Sequence, residues 1–300
     1  MNKARITVIG AGLMGHGLAQ VFALAGHHVT IYDSHAATLE SAKQRISTNL
    51  RDLGDDPAAV ERVTPQADLA AAVRDADYIV EAAPEDLAIK QKLFADIESA
   101  ARPDAILASN TSVIPITQIM RGLKNRERAL GTHWWNPPYL VPLVEVIGTE
   151  WTSSAAIQRT MDLHAAAGKT PVHVKKDVPG FVGNRLQHAL WRECVALVAN
   201  GICDAETVDT VIKASFGRRL AVLGPLENAD LVGTDLTLAI HRTVLPAIDS
   251  TPGPSPYLEK LVADGKLGMK SGEGFRKWTK DEQESLRARV LQHLKQSRGH

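Results

Sequence analysis

His133 and Glu145 are the residues whose types and setting first suggest chemistry. The segment "ALGTHWWNPPYLVPLVEV" (Ala129 to Val146) sets an imidazole against two of the chain's five tryptophans. It breaks at Pro137-Pro138 and returns to an apolar run that carries one carboxylate, Glu145. Histidine ordinarily titrates near neutrality, which suits a general base. An imidazole walled by Trp134 and Trp135 would resist becoming charged, because burial disfavours the cation. A carboxylate on its other ring nitrogen would fix the tautomer and stabilise the imidazolium, as the third member of a hydrolase triad does. An unpaired carboxylate within "LVPLVEVI" would be costly, so pairing of His133 with Glu145 across adjacent strands is the expectation. The plainer readings are a satisfied histidine at a strand end and a solvent-facing glutamate. For the tryptophans, core filling fits as well as substrate contact.

A second cluster is denser. In "ITVIGAGLMGHGLAQVFALAGHHVTIYD" (Ile6 to Asp33) a strand ends at Gly10, Gly10-x-Gly12-x-x-Gly15 follows, a helix runs to Gly26, and a second strand closes on Asp33. Gly10 permits a tight turn, Gly12 lets a pyrophosphate approach the backbone, and Gly15 lets helix and strand pack closely. The diphosphate would sit on the helix N-terminus, where unpaired N–H groups favour anions. Asp33 would accept from a ribose 2′-hydroxyl and repel a 2′-phosphate, and no arginine follows in "DSHAAT" to receive one. NAD is therefore the expected cofactor.

The elements that must position these residues fall into two halves. Strand-like runs "RITVIG", "HVTIYD", "DYIVEA", "AILASN", "LVEVIG" and "TPVHVK" alternate with helical patterns up to residue 178. That alternation predicts an α/β, Rossmann-type, mostly parallel sheet with helices on both faces. From Pro179-Gly180 onward strands cease, and an all-helical domain is expected over 179–300, with helices at about Phe181–Asn200 and Asp204–Phe216. Gly201 suits the end of the first and Asp204 an N-cap for the next. The 1–178 part would bind the dinucleotide.

Bulk properties exclude other classes. With 34 basic and 34 acidic residues the formal charge is zero, so no nucleic-acid or anionic-membrane partner is expected. The chain runs from Met1 straight into "RITVIG", with no cleavable apolar leader and no later run of membrane length, and a cytoplasmic location is the expectation. Cys194 and Cys203 form no CxxC pair and read as buried inert thiols. No HExxH-like spacing accompanies the eleven histidines, so no metal is expected.

"VIGAGLMGHGLAQVFALAGHHVTIYD", "EAAPEDLAIKQKLFADIE", "ILASNTSVIPI", "GTHWWNPPYLVPLVEVI", "VPGFVGNRL" and "GKLGMKSGEGFRKW" occur in the order seen in the 3-hydroxyacyl-CoA dehydrogenase family, which the chain resembles from Arg5 to about Trp278. The resemblance implies NAD-dependent oxidation of a 3-hydroxyl to a ketone, and a homodimer formed through the helical half. Carried over by motif, the catalytic positions are His133, Glu145, Ser112 of "SNTS" and Asn184 of "GFVGNRL". The implied cofactor set is Gly10, Gly12, Leu13, Met14, Gly15, Asp33, Glu85, Lys90, Asn110, Asn136 and Lys270. Ser112 would bond the substrate oxygen or merely cap a turn. Asn184 would donate to the ketone oxygen as charge develops there, or make an interdomain hydrogen bond.

The chain departs from the fatty-acyl members in Trp134-Trp135 and Pro137-Pro138. The stretch after the helix at about Ala36–Leu53 is also compact, where acyl-CoA members extend a helical hairpin that helps hold coenzyme A. Lys43 and Arg51 could still meet phosphates. The second half resembles the branch that oxidises small free acids, including L-gulonate 3-dehydrogenase with its lens-crystallin relative and the pyridine-carboxylate dehydrogenase of vitamin B6 breakdown. A small hydroxy acid is thus the expected substrate, with Arg192, Arg218 and Arg219 as candidate carboxylate receptors. A 3-hydroxyacyl-CoA substrate and a non-catalytic, crystallin-like NAD-binding protein are the alternatives.

Overall fold

A computed structural model describes residues 3–298 and divides them into two compact units, one running to Arg185 and rejoined by the stretch from Gln292, the other Leu186–Leu291. The first unit holds an eight-stranded sheet. Its strands are β1 (Arg5–Ile9), β2 (His28–Tyr32), β3 (Val63–Gln66), β4 (Tyr78–Glu81), β5 (Ile106–Ser109), β6 (Ala129–Trp134), β7 (Leu143–Ile147) and β8 (Thr170–Val174). They lie in the order β3-β2-β1-β4-β5-β6-β7-β8, parallel throughout except where β6 meets β7 antiparallel. The helices α1 (Gly15–Leu24), α2 (Ala36–Leu53), α3 (Leu69–Val73), α4 (Leu87–Ala100), α5 (Ile116–Met120) and α6 (Ser154–Ala166) cover it.

The apolar pattern explains the layering. Strands buried on both faces read as continuous β-branched runs, and β4 and β5 are buried at every position. Alternate side chains then feed opposite layers. Ile6, Val8, Val80 and Ala108 pack with Phe22 of α1 and Ile46 of α2 on one face, while Ile9, Ile79 and Leu107 pack with Phe94 and Ile97 of α4 and Ile119 of α5 on the other. Each fully buried side chain of this size contributes roughly 1.5–3 kcal/mol. The strand order reverses between β2-β1 and β4, and open α/β sheets bind ligands outside the carboxyl ends of their strands at such a point.

Of the two strands outside the six strand-like runs, β6 is implied by the expected pairing of His133 with Glu145, and β3 is not. The segment "VTPQ" contains Pro65, which argues against a central strand, yet β3 pairs only with β2 at the sheet edge, where a proline is tolerated. α2 ends at Gly54 with φ +69°, a conformation open to glycine.

The second unit is helical: α7 (Gly183–Ala199) continues into it, followed by α8 (Ala205–Ala214), α9 (Pro225–Val232), α10 (Thr234–Val244), α11 (Pro256–Ala263) and α12 (Lys280–Gln296), which ends in the first unit. Gly201 takes φ +67° after α7, and Asp204 caps α8 by accepting from the Thr207 N–H at 2.8 Å. Cys194 and Cys203 are unpaired and half-buried rather than buried. None of the described helices is long and apolar enough to cross a membrane.

Candidate active site

The register of β6 and β7 sets His133 directly opposite Glu145. His133 Nδ1 lies 2.7 Å from Glu145 Oε2, and both side chains are buried. The other carboxylate oxygen, Oε1, accepts from the N–H groups of Val182 at 2.8 Å and Gly183 at 3.0 Å, the residue before α7 and its first residue. An anion is favoured there by unpaired donors and the helix dipole. Burial pushes the Glu145 carboxyl up, but the bonds from His133, Gly183 and Val182 outweigh it and hold it below the ordinary carboxylate value. The glutamate is therefore an ionised acceptor that leaves Nε2 as the free ring nitrogen of His133.

The neighbouring aromatics separate by face. Trp134 turns into the core, 5.7 Å from Phe22 and 5.2 Å from His164, whereas Trp135 lies 5.4 Å from the His133 ring. Phe181, fully buried with φ +49°, packs 5.7 Å from the same imidazole. A Cβ on Gly183 would come within 2.6 Å of the Trp135 ring and 3.3 Å of Glu145, so only glycine lets α7 start this close to the pair. His164 offers a contrast: sealed among Phe22, Tyr78 and Trp134, it is pushed by burial down to about 4 and stays neutral. It is a core residue.

Asn184 is joined to the His133–Glu145 pair through the backbone, as the residue after Gly183, and it reaches Ser112 by a hydrogen bond of its own. Asn184 follows Gly183 and donates through Nδ2 to the Ser112 carbonyl at 2.9 Å. One amide hydrogen remains for a further acceptor. The Ser112 side chain is exposed and its hydroxyl bonds no described residue. The Ser112 loop is held by Glu85, whose Oε1 accepts from Thr111 Oγ1 at 2.5 Å, Ser112 N–H at 2.8 Å and Val113 N–H at 3.1 Å. Burial pushes Glu85 up, but Thr111, Lys90 and the two N–H groups together hold it low.

Lys90 is enclosed. Its ammonium donates to Glu81 Oε1 at 2.6 Å and to the Ala83 carbonyl at 3.2 Å, and lies 3.3 Å from Glu85 Oε2. These partners account for all three of its donors. Glu81, absent from the sequence reading, also accepts from Ser109 Oγ at 2.6 Å and Ala83 N–H at 2.6 Å, with no exposed surface. Its signal was available: a lone carboxylate closing the apolar strand "DYIVEA", the same signature that drew notice to Glu145 in "LVEVI".

At the end of β1 the three glycines meet three different demands. Gly10 has φ +96°, and a Cβ there would fall 2.6 Å from the Ala82 carbonyl; on Gly15 it would overlap the Gly10 carbonyl at 1.7 Å. On Gly12 a Cβ meets no protein atom within 4 Å. Crowding by the protein thus explains Gly10 and Gly15, and the open face at Gly12 fits a diphosphate brought against the backbone at the start of α1. Leu13 is exposed beside it and Met14 directly precedes α1. Asp33 accepts from Ala11 N–H at 2.7 Å and His35 N–H at 2.8 Å, one on each oxygen, and each oxygen keeps a lone pair for a ribose hydroxyl.

The remaining expected residues scatter more widely. Asn110 follows β5 and accepts the Trp134 N–H at 3.0 Å, which leaves its side-chain NH₂ free for a ligand. Asn136 is exposed and precedes a cis peptide to Pro137, in a loop that packs on Gly17 of α1 through Pro138 and Tyr139. Lys270 is exposed in a turn of the second unit. Of the candidate arginines, Arg192 lies 3.9 Å from Asp249, while Arg218 and Arg219 are exposed. Lys43 lies 3.6 Å from Glu61, and Arg51 donates to Thr48.

The comparisons with known proteins agree with this geometry. Residues 5–178 match the 3-hydroxyacyl-CoA dehydrogenase NAD binding domain, and residues 180–278 match the C-terminal domain of the same family. The chain belongs to the 3-hydroxyacyl-CoA dehydrogenase family. It is an NAD-dependent oxidoreductase acting on CH–OH donors. Among its relatives, 5-formyl-3-hydroxy-2-methylpyridine 4-carboxylate 5-dehydrogenase of Mesorhizobium japonicum is 37% identical, over 96% of this chain and 95% of that one. Human mitochondrial hydroxyacyl-coenzyme A dehydrogenase is also 37% identical, over 91% of this chain and 90% of its own. The crystal structure of a 5-formyl-3-hydroxy-2-methylpyridine 4-carboxylic acid 5-dehydrogenase, an NAD+-dependent dismutase, superposes with a TM-score of 0.91 at 34% identity, covering 98% of this chain and 97% of the other.

Proposed function

We propose that the enzyme oxidises the secondary or hydroxymethyl alcohol of a small free hydroxy acid, with His133 as base and Glu145 as its partner. NAD, when bound, accepts the hydride from the substrate carbon. His133 Nε2 takes the hydroxyl proton, so the carbinol loses H⁻ and H⁺ and becomes a carbonyl. Glu145, fixed on Nδ1, holds the imidazole in the required tautomer and stabilises the imidazolium that forms. Asn184, through its remaining amide hydrogen, and Ser112, through its hydroxyl, orient the reacting oxygen. Asp33 and the glycine loop take the dinucleotide, with Leu13, Met14, Glu85, Asn110, Asn136 and Lys270 as further contacts. Lys90 acts by holding Glu81 and Glu85. The boundary between cofactor and substrate halves falls at Pro179-Gly180, and the reaction draws on cytoplasmic NAD.

The observation that carries the substrate reading is the compact stretch between α2 and β4. It holds a 3₁₀ turn (Pro57–Arg62), the edge strand β3 and the short α3, with no second long helix beside α2. A coenzyme A tail would lack the helical hairpin that the acyl-CoA members use. Identity to the human acyl-CoA enzyme equals that to the pyridine-carboxylate enzyme, which keeps a second reading, a 3-hydroxyacyl-CoA substrate. NAD reduction measured with 3-hydroxybutyryl-CoA, free 3-hydroxybutyrate, gulonate and a hydroxymethyl pyridine carboxylate separates them. Turnover of at least one free acid is expected. Turnover of the thioester alone would end the small-acid reading, and tight NAD binding without turnover of any would favour a crystallin-like role.

A homodimer completes the proposal. The second unit exposes Val222, Leu226 and Leu231 at 87, 81 and 73%, and α9 and α10 bury no residue. Apolar surface on this scale marks an interface, and a second copy of the chain is the occupant the family suggests. Sedimentation should give a dimer that Leu226→Glu with Leu231→Glu converts to monomer. An unaltered chain that sediments as a monomer would remove this part of the account.

A further inference from the structure

We propose that Arg45, on α2, is a positioning residue of the dinucleotide site: its guanidinium aims the N–H groups of the glycine loop at the cofactor's diphosphate and stands behind them as a countercharge. Nη2 of Arg45 donates to the Ala11 carbonyl at 2.6 Å and to the Thr38 carbonyl at 2.9 Å, while Nη1 donates to the Gly12 carbonyl at 3.3 Å. His16 supports the same loop, with Nδ1 2.7 Å from the Gly12 carbonyl. With that proton given to Gly12, His16 Nδ1 cannot also accept from Arg45 Nη1 3.2 Å away, so the carbonyls are the arginine's partners.

The consequence follows from peptide planarity. In a trans peptide the N–H of one residue points opposite to the carbonyl before it. Drawing the Ala11 and Gly12 carbonyls onto Arg45 therefore turns the Gly12 and Leu13 N–H groups to the other side of the loop. The loop is open at this point, where a Cβ on Gly12 would find no protein atom within 4 Å. One guanidinium reaches two adjacent peptides because its donors are a rigid fork, and the Gly12 carbonyl also accepts the His16 N–H at 3.3 Å.

Charge points the same way. Arg45 is half-buried, yet no described carboxylate pairs with it, and its Nε is buried without a hydrogen-bond partner. Its helix neighbour Lys43 is compensated by Glu61. A cation withdrawn from water and left without a carboxylate is ordinarily unfavourable. A diphosphate on the far face of a loop one peptide thick supplies the missing negative charge. Burial chiefly, and the same charge to a lesser degree, hold His16 below its ordinary value against the bond to Gly12, which raises it.

The test uses ligands rather than turnover. ADP-ribose and adenosine are titrated into the unaltered protein, Arg45→Met and Arg45→Lys, with thermal unfolding followed alongside. Adenosine keeps the ribose that faces Asp33 and lacks the diphosphate. ADP-ribose affinity should fall about tenfold or more in Arg45→Met, the size of a lost charge-assisted contact, while adenosine affinity stays within about twofold. Arg45→Lys should fall between, because it restores the charge without the fork. Equal loss for both ligands, or no loss for ADP-ribose, would overturn the proposal. Should the Met variant fail to fold, Arg45→Lys decides alone: a loss confined to ADP-ribose supports the role, and a parallel loss or none overturns it.

Discussion

Replacing His133 with alanine is expected to lower kcat for alcohol oxidation by roughly 10²–10⁴, the usual size of a general-base contribution, while NADH affinity holds. The separation of the two effects comes from the fold. The imidazole sits on β6, tied to β7 and the start of α7, whereas the glycine loop and Asp33 sit at the ends of β1 and β2. Removal of the ring leaves Glu145 with both N–H bonds from Val182 and Gly183, so the carboxylate keeps its helix and the local backbone should stay in place. Initial rates with the best substrate, set beside an NADH fluorescence titration, check both halves. A rate that survives the substitution would remove His133 from the mechanism.

The second large effect concerns stability. Lys90→Met should cost about 3–5 kcal/mol, the usual penalty for removing one partner of a buried ion pair. Glu81 and Lys90 are 0% and 1% exposed, so water cannot take the place of the lost ammonium. Urea denaturation measures the loss. The double variant Glu81→Gln with Lys90→Met should recover part of it, because the penalty lies mostly in the stranded charge. A loss under about 1 kcal/mol would instead resemble an exposed pair and would contradict the enclosed network. Because Glu85 holds the Ser112 loop and shares Lys90, the single variant should also loosen that loop.

Much of this was legible in the residues, for physical reasons that differ from place to place. The βαβ unit around Gly10, Gly12 and Gly15 could be read because each glycine answers a separate steric demand, and those demands reappear as a positive φ, an open face and a carbonyl contact. The His133–Glu145 contact could be read because a lone carboxylate in an apolar strand needs a partner, and register supplies one. The division of labour between Trp134 and Trp135 could not, since adjacent aromatics at a strand end look alike until the strand's facing is known. Arg45 was invisible for another reason. It bonds backbone carbonyls, which leave no mark in composition. β3 was hidden by Pro65, whose penalty vanishes only when the strand proves to be an edge.

Helical periodicity predicts buried stripes, yet α9 and α10 bury nothing in the monomer. Among the described residues none covers their apolar side chains.

The base assignment is tested most directly by the pH dependence of kcat/KM, taken in both directions in the unaltered enzyme and in His133→Ala. Oxidation needs the neutral imidazole, so its rate should fall toward low pH, and carbonyl reduction needs the imidazolium, so its rate should fall toward high pH. Both limbs should vanish from the residual activity of the variant. An acid limb that persists unchanged without His133 would assign the proton transfer to another group and contradict the mechanism.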